Sequence, residues 1–259
     1  MASDSSPKTT YHLYTFYASS CAARLRIAFN LKGIDVVSHY VDMQSAEHKV
    51  QDYRALNPSA TIPTLVVEKD GGNGLQPSKL IIAQSIAILE YCTWNFSSLV
   101  YALLMHGAVE EVFPNQCPLL PPLNQPEERA RVRELMYIIT SDIFPPTNSG
   151  VAERVKAVRG SADDAKAFVR AIMEKGFGAY EQMLNRHFNG KKYSAGDHVT
   201  LADVCLIPQV EQARFYKVDF DPWPLLSGVI ERLEKLDAFK KAGWQYQEDT
   251  PEAHKLKHV

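Results

Sequence analysis

The 259-residue chain has no long apolar run, no paired cysteines and no excess of charge of one sign. Polar side chains interrupt every stretch of about 18 residues, the length that spans a bilayer, so no transmembrane helix is expected. The first ten residues, MASDSSPKTT, carry no apolar segment and predict a polar tail instead of a signal peptide. The 28 basic and 30 acidic residues give a net charge of -2, which excludes the strongly basic surface of a nucleic-acid binder.

The four cysteines are far apart and form no C-x-x-C pair. This spacing favours free thiols in a reducing compartment, and we expect a cytoplasmic protein without a disulfide framework. His254 and His258 have i,i+4 spacing but lie in a polar tail, so no metal site is expected. The length suits two domains, and the hydrophobic fraction of 46% is ordinary for a globular protein.

The first third of the chain alternates between strand-like and helix-like patterns. Polar and apolar residues alternate over 11–16, which predicts a strand, and the helical stripe that follows stops at Gly33. A second strand over 36–41 completes a β-α-β unit, whose crossover predicts a parallel pair. The complete predicted order is β-α-β, α, β-β-α, with the last helix opening at Gln84 and Ser85.

From Pro126 onward the periodicity is helical throughout. Thr200 and Asp203 form a capping box before an apolar run, and we expect a structural role for both. Three arginines in the helix that opens at Pro126 predict a solvated helix face, namely Arg129, Arg131 and Arg133.

Five sequence elements, in order, resemble motifs of the zeta-class glutathione transferases, the class that includes maleylacetoacetate isomerase. The first is similar to the SSCxxRxRIA motif of that class, the second to ALNPxxxVPTL and the third to QSxAIxEY. The resemblance extends over nearly the whole chain, from about Tyr11 to Glu252. The elements are SSCAARLRIA at 19–28, ALNP at 55–58 with IPTL at 62–65, AQSIAILEY at 83–91, GDHVTLAD at 196–203 and KVD at 217–219.

The resemblance implies a thioredoxin-like α/β domain that binds glutathione, followed by an all-helical substrate domain. It also implies an enzyme that activates the thiol of glutathione for addition to a small electrophile, by maleylacetoacetate-type cis–trans isomerisation or by conjugation. A homodimer is implied, and no nucleic-acid or membrane partner is expected. The expected boundaries are a tail over 1–10, the glutathione-binding domain over 11–91, an insertion and linker over 92–122, the helical domain over 123–250 and a tail over 251–259.

A Ser-Ser-Cys turn before the first helix supplies the chemistry that such an enzyme needs. A thiol with a pKa of about 8.5 is mostly protonated at neutral pH, and only the thiolate is a good nucleophile. Hydroxyl donors and the free N–H groups of a helix N-terminus both stabilise a negative sulfur. On the resemblance, Ser19 hydrogen-bonds the glutathione sulfur, and Ser20 and Cys21 complete the catalytic turn. The alternative is that Ser19 or Ser20 only caps the helix.

Cys21 has a second interpretation as a redox nucleophile. Disulfide chemistry of the thioredoxin type needs a resolving cysteine close by, and the next residues, Ala22, Ala23 and Arg24, provide none. We therefore expect Cys21 to be a small residue that lines the site.

The resemblance assigns glutathione contacts to further places. It implies a cis bond before Pro63, with Ile62 presenting its backbone to the cysteinyl unit. Gln84 and Ser85 stand at a helix N-terminus, which binds the γ-glutamyl carboxylate, although Ser85 also suits a simple cap. Two more candidates, for the rest of the tripeptide, are His48 and Asn57.

The chain departs from the family in two places. The first is residues 92–109, which stand where the family has a short linker. We expect them to be an insertion without function, from a retained intron or an erroneous gene model. The alternative is a lid over the cleft or a dimer contact.

The second departure is Phe215, which holds the place, four residues before Asp219, where the family commonly carries an arginine. Arg24 and Arg214 are the candidates to bind substrate charge. With Phe215 in place of arginine, we expect weaker dicarboxylate isomerase activity and a more apolar substrate.

Two other functions remain open. One is a conjugating transferase that tailors or detoxifies electrophiles of secondary metabolism, and the other is a non-catalytic interaction module with the same fold. The presence of Ser19, Pro63, Gln84 and Ser85 together argues against the module, because assembly needs none of their chemistry.

Overall fold

The computed structural model describes residues 9–71, 76–94 and 117–256. The chain divides into two compact units, Met1–Cys117 with Lys241–Val259, and Pro118–Lys240. The predicted insertion at 92–109 lies outside the described residues, apart from its first three, which belong to a helix that ends at Trp94. Within the described part, no helix has both the length and the apolar character needed to cross a bilayer.

The first unit is built on a four-stranded mixed sheet. The strand order is β2-β1-β3-β4, with β1 parallel to β2 and the other neighbours antiparallel. This confirms the predicted parallel pair and the β-α-β, α, β-β-α order. In chain order the elements are β1 Thr9–Thr15, α1 Ser20–Lys32, β2 Val37–Tyr40, a 3-10 turn Glu47–Lys49, α2 Gln51–Leu56, β3 Thr64–Lys69, β4 Ser78–Ala83 and α3 Ser85–Trp94.

Alternation along β1 decides which face of the sheet is buried. Tyr11, Leu13 and Thr15 are buried, whereas His12 and Tyr14 on the opposite face are half-buried. The face that carries Leu13 therefore forms the core of the first unit.

Helix α1 is buried on all sides, not only along the predicted stripe. Every residue from Ala22 to Phe29 is buried, including the side chains of Arg24 and Arg26. The helix stops at Gly33, whose φ of 58° is left-handed and whose N–H bonds back to the carbonyl of Asn30. Glycine adopts this conformation at no steric cost, which is why the predicted stop is correct.

The segment over 241–250, which the sequence placed in the helical domain, groups with the first unit instead. One reason is that the N–H of Tyr17 donates to Asp249 Oδ2 at 2.8 Å, a bond between residues 232 positions apart. The expected plain tail after it begins as a 3-10 turn, Glu252–His254.

The second unit is all-helical, as predicted. Its most deeply buried helix is α8, in which every residue from Leu201 to Val210 is buried. From Pro126 onward its elements are α4 Pro126–Tyr137, a π-helical segment Ile138–Ile143, α5 Phe144–Thr147, α6 Ser149–Arg159, α7 Ala162–Met183, a second π-helical segment Leu184–Phe188, α8 Leu201–Phe215, α9 Pro224–Glu234 and α10 Asp237–Ala242, which runs past the end of the unit at Lys240. The 3-10 turn Trp244–Tyr246 belongs to the first unit.

The capping box at the start of α8 is formed. Asp203 accepts hydrogen bonds from the N–H and the hydroxyl of Thr200 at 2.8 and 3.0 Å, and from the N–H of Ser194 at 2.9 Å. Burial raises the pKa of this carboxyl, and the same hydrogen bonds lower it. The contacts of Thr200 and Asp203 are therefore those of a structural cap.

One of the three arginines expected on a solvated face is buried. The guanidinium of Arg129 donates to the carbonyl of Pro121 at the start of the unit. Arg131 does lie at the surface, where it pairs with Glu134 at 2.7 Å. The partner of Arg129 precedes the helix, so helix periodicity alone gave no sign of it.

Candidate active site

Three segments that carry candidate residues meet at one edge of the sheet. Tyr14 in β1 pairs with Thr64 in β3, and Thr64 pairs with Ala83 in β4. Strand β1 ends just after Tyr14, β3 begins at Thr64 and β4 ends at Ala83. The turn before α1, the Ile62–Pro63 dipeptide and the start of α3 therefore lie side by side.

A small apolar cluster lies beneath this edge. Phe16 follows β1, Val41 follows β2 and Ile62 precedes β3, so the cluster joins the loops at three strand ends. Because a close-packed cluster resists changes of volume, it holds the loops in fixed positions. Its members are Phe16, Ala22, Val41, Tyr53 and Ile62, with Tyr14, Tyr17 and Met43 packed against them.

Ser19 is the N-cap of α1. Its backbone is extended, with φ -81° and ψ 110°, and its Oγ accepts a hydrogen bond from the N–H of Ala22 at 3.2 Å. A hydroxyl also has a proton to donate, and the cap uses only its acceptor capacity. Capping and donation to a thiolate are therefore compatible at the same oxygen, so the two interpretations of Ser19 do not compete.

Ser20 and Cys21 are the first two residues of α1, and both are half-buried. The N–H groups of a first helical turn lack intrahelical acceptors, and the helix dipole adds positive potential there. Cys21 forms no disulfide. This position suits the predicted small residue lining an anion site.

The loop between β1 and α1 is held by Arg26, a residue that sequence reasoning missed. From its buried position in α1, its guanidinium donates to Thr15 Oγ1 at 3.1 Å, to the carbonyl of Phe16 at 3.3 Å and to the carbonyl of Tyr17 at 3.2 Å. Its Nε also donates to the carbonyl of Ala242 at 3.0 Å. Arg26 therefore positions the turn that precedes Ser19. The second arginine of the SSCxxRxRIA motif was the available signal.

The hydrogen bonds of the Asn57 side chain all go to the loop before β3, and its predicted contact to glutathione stays a prediction. Its side chain is 0% exposed. Its Nδ2 donates to the carbonyl of Thr61 at 2.8 Å and to Thr64 Oγ1 at 3.1 Å, while its Oδ1 accepts from the N–H of Ser59 at 3.1 Å. All three bonds brace the loop that carries Ile62 and Pro63.

The Ile62–Pro63 peptide bond is cis, as the resemblance implied. At the neighbouring place on the same edge, Gln84 is exposed and has a left-handed φ of 75°. Its carbonyl accepts from the N–H of Ile88 at 3.0 Å, which makes Gln84 the N-cap residue that precedes α3. The N–H groups of the first turn of α3 thus follow Gln84 directly.

Arg24 is buried in the first unit, where it contacts Ser85. Its side chain is 1% exposed, and its Nη1 donates to Ser85 Oγ at 3.3 Å. Ser85 is itself buried as the first residue of α3. Arg24 therefore joins α1 to the start of α3, and its predicted substrate role stays a prediction.

His48 lies in the 3-10 turn after β2 and is 8% exposed. Its Nδ1 is buried and makes no hydrogen bond to the described residues. Burial lowers the pKa of the imidazole, and the charge of Lys49 lowers it further. A neutral imidazole with an unsatisfied ring nitrogen fits a polar ligand group.

Arg214 and Phe215 are neighbours at the end of α8 and differ in their surroundings. The guanidinium of Arg214 forms an ion pair with Glu234 on α9 through both of its terminal nitrogens. Phe215 is 81% exposed. Because the helix continues through Phe215, the two side chains point about 100° apart, and Arg214 does not replace a residue at position 215.

Two family models match the chain. The glutathione S-transferase N-terminal domain matches residues 18–93, and the glutathione S-transferase C-terminal domain matches residues 152–237. The chain belongs to the glutathione S-transferase family. Its fold is accordingly the thioredoxin-like plus all-helical fold of that family, and it is an enzyme of a family that uses glutathione as cosubstrate.

The relatives of this glutathione S-transferase agree with the resemblance to the zeta class. It is 39% identical to a probable glutathione S-transferase of Coccidioides immitis, over 93% of this chain and 96% of that one. It is 38% identical to the maleylacetoacetate isomerase of Aspergillus fumigatus, over 99% of both chains.

Two solved structures extend the comparison. A bacterial maleylpyruvate isomerase described as a zeta-class glutathione transferase is 34% identical, with a TM-score of 0.74 over 93% of this chain and 100% of that one. The maleylacetoacetate isomerase of Anaeromyxobacter dehalogenans, solved with glutathione in its active site, is 30% identical, with a TM-score of 0.74 over 95% of this chain and 100% of that one. The zeta-class prediction is confirmed.

Proposed function

We propose that this glutathione S-transferase isomerises a cis-unsaturated diketo acid of the maleylacetoacetate type to its trans form. The observation that carries the proposal is the N-terminus of α1, where the hydroxyl of Ser19 caps the helix and keeps a proton to donate. The substrate class is supported by the similarity to a maleylacetoacetate isomerase over 99% of both chains.

Bound glutathione supplies a thiolate that adds to the cis double bond and leaves after rotation about the resulting single bond, so it is returned unchanged. The hydroxyl of Ser19 donates a hydrogen bond to the sulfur and so lowers the energy of the thiolate. The free N–H groups of the first turn of α1, at Ser20 and Cys21, add positive potential at the same end of the helix. No cysteine of the protein takes part in a covalent step.

The rest of the tripeptide fits the same edge of the sheet. The first turn of α3, after Gln84, offers N–H groups to the γ-glutamyl carboxylate, and Ser85 is held there by Arg24. The backbone of Ile62 lies at the adjacent strand end and pairs with the cysteinyl unit. His48, in the 3-10 turn after β2, is a further candidate for a contact to the tripeptide. These assignments rest on the shared edge and on the polar groups that remain available there.

A second candidate function is favoured by Phe215. An exposed aromatic side chain stands where the family commonly has an arginine, and Arg214 is already paired with Glu234. Without that arginine, a substrate carboxylate has no guanidinium to bind through two hydrogen bonds at this position. This favours an apolar electrophile, in a conjugating reaction of secondary metabolism or detoxification.

We propose further that the enzyme is a cytoplasmic homodimer. The widely spaced free cysteines support a reducing compartment, since none of the four forms a disulfide. Dimerisation is the usual state of the resembling family. Sedimentation of the purified chain at micromolar concentration tests it: a mass of one chain, 29.1 kDa, contradicts the proposal.

Incubation of the enzyme with maleylacetoacetate, with and without glutathione, tests the activity. An isomerase forms the trans product only when glutathione is present and leaves the glutathione concentration unchanged. A conjugating transferase consumes one glutathione per product, and a parallel assay with an aryl halide reveals it. Absence of both reactions contradicts the proposal and favours an interaction module.

A further inference from the structure

We infer that a cavity in the helical unit, formed by α6, α7 and the end of α8, binds a small anion with a planar unsaturated or aromatic body. The cavity has a volume of about 600 Å³. Cavities of roughly 300–1,000 Å³ are typical of small-molecule sites. The residues on which the argument depends are Lys156, Lys166, Arg170, Phe215, Tyr216 and Lys217.

The charge of the lining favours an anion. Four cations line the cavity and only two carboxylates do, Glu153 and Asp163. Each carboxylate is paired within its own helix, Glu153 with Lys156 at 3.5 Å and Asp163 with Lys166 at 3.4 Å. The charge that remains is that of Arg170 and Lys217.

Neither Arg170 nor Lys217 forms an ion pair with any described residue. The Nε of Arg170 donates to the carbonyl of Tyr216 at 3.2 Å, which fixes the guanidinium against the end of α8 and leaves its terminal nitrogens as donors. A fixed guanidinium beside an ammonium is a good partner for a carboxylate or a sulfonate.

The end of α8 brings the aromatic and cationic groups together. Lys217 has a left-handed φ of 58°, its N–H bonds to the carbonyl of Arg214 at 2.9 Å, and the N–H of Val218 bonds to the carbonyl of Ala213 at 3.0 Å. This is a Schellman-type helix end, with lysine at the position that usually holds glycine. The turn places Lys217 directly after two aromatic residues of the lining.

Those aromatic residues favour a planar body. Phe215 and Tyr216 pack edge to face, with ring centroids 5.4 Å apart, and Phe215 is 81% exposed. The phenol of Tyr216 is protonated at neutral pH like that of any tyrosine, and burial raises its pKa further. An exposed ring beside two unpaired cations offers an apolar surface and charge to the same ligand.

Calorimetric titration with 1-naphthoate and with 1-naphthamide, both without glutathione, tests the inference. The two probes share shape and differ in charge, so naphthoate should bind at least about tenfold more tightly. Arg170→Gln and Lys217→Gln should each weaken naphthoate binding by about tenfold, and Phe215→Ala should weaken both probes. Lys175→Gln, at an exposed lysine of α7 outside the lining, is the matched control and should leave binding unchanged.

Three results overturn the inference: no naphthoate binding at millimolar concentration, equal affinity for the two probes, or full affinity in the Lys217→Gln variant. Lys217 donates no side-chain bond to the described residues, so that variant should keep the fold even if Arg170→Gln does not. Phe215 is also the position at which the proposed function places the substrate carboxylate, so the inference rests on that function at this one residue. Because the titration contains no glutathione, naphthoate binding can fail while isomerisation is observed, and isomerisation can fail while naphthoate binds.

Discussion

Ser19 is the residue at which a helix cap and the proposed chemistry coincide. Its oxygen accepts from Ala22, and its proton remains for a ligand. The sequence pattern predicted the position, because an N-cap serine after a strand is a local signal. It did not predict that the cap and the proposed donation to a ligand are compatible. That depends on a hydrogen bond that Ser19 Oγ accepts, and does not donate, at the N–H of Ala22.

Phe215→Arg should raise kcat/KM for maleylacetoacetate by roughly 10- to 150-fold, because a charge-assisted bond to the substrate carboxylate is worth about 1.5–3 kcal/mol. Steady-state kinetics on the variant and on the unmodified enzyme measure it. Phe215→Lys is the control, because lysine has the same charge but lacks the planar guanidinium that binds a carboxylate through two hydrogen bonds. High activity of the unmodified enzyme that Arg214→Ala abolishes would contradict the argument.

Lys32 predicts a pH dependence of stability. Burial lowers its pKa from 10.5 to about 8, while its Nζ donates to the carbonyl of Cys117 at 3.1 Å. Between these two values the unfolded chain holds a proton that the folded chain has released, so the contribution of Lys32 to the free energy of unfolding rises with pH in that window. Urea unfolding of the enzyme and of Lys32→Met at pH 7, 8, 9 and 10 measures the difference between them. Above pH 8 the free energy of unfolding of Lys32→Met should fall further and further below that of the unmodified enzyme. A difference between the two proteins that does not change with pH contradicts the prediction.

Two buried arginines of α1 have hydrogen-bond partners far along the chain. Arg24 donates to a serine 61 positions away, and Arg26 to a carbonyl 216 positions away. Neither contact leaves a local pattern. Gly33 and Thr200 were assigned correctly because the rules for helix ends depend only on near neighbours.

The strands and long helices were predictable because their periodicity is regular. The two π-helical segments, Ile138–Ile143 and Leu184–Phe188, were not, since they depend on packing against other helices. Gly176 in α7 illustrates that packing, because a methyl group on it would overlap the buried side chain of Ile143.

Gly176→Ala should therefore lower the free energy of unfolding by about 1–3 kcal/mol, the usual cost of overpacking. Gly178→Ala, on the same helix, is the control: its new methyl group would lie 3.6 Å from Trp223 Nε1, an ordinary contact. That variant should gain about 0.5–1 kcal/mol, because alanine loses less backbone entropy in a helix. Denaturant unfolding measures the free energy of unfolding of both variants. Equal values for the two would contradict the packing argument.

At the scale of the whole molecule, the order of two domains was predictable and the return of the C-terminal segment to the first unit was not. That segment has polar composition and no regular pattern, so only contacts such as Tyr17 with Asp249 and Arg26 with Ala242 reveal where it belongs. The same contacts connect the C-terminal segment to the turn before Ser19.

Arg26→Lys should consequently affect stability and glutathione affinity together. A single ammonium cannot serve the four acceptors of the guanidinium, so the free energy of unfolding should fall by about 1–3 kcal/mol and KM for glutathione should rise. Arg54→Lys, at an exposed arginine of α2, is the control. A variant with unchanged stability and unchanged KM would show that Arg26 does not hold the turn.

The pKa of the thiol of bound glutathione, followed by thiolate absorbance, tests the central claim most directly. Ser19→Gly removes the hydroxyl while costing only a few tenths of a kcal/mol as a cap, whereas Ser19→Ala costs about 1 kcal/mol. In both variants the thiol pKa should rise by about 1–2 units and kcat should fall, with glutathione affinity nearly unchanged. Ser20→Gly should change the thiol pKa far less. A Ser19→Gly enzyme whose bound thiol titrates as in the unmodified protein would contradict the account.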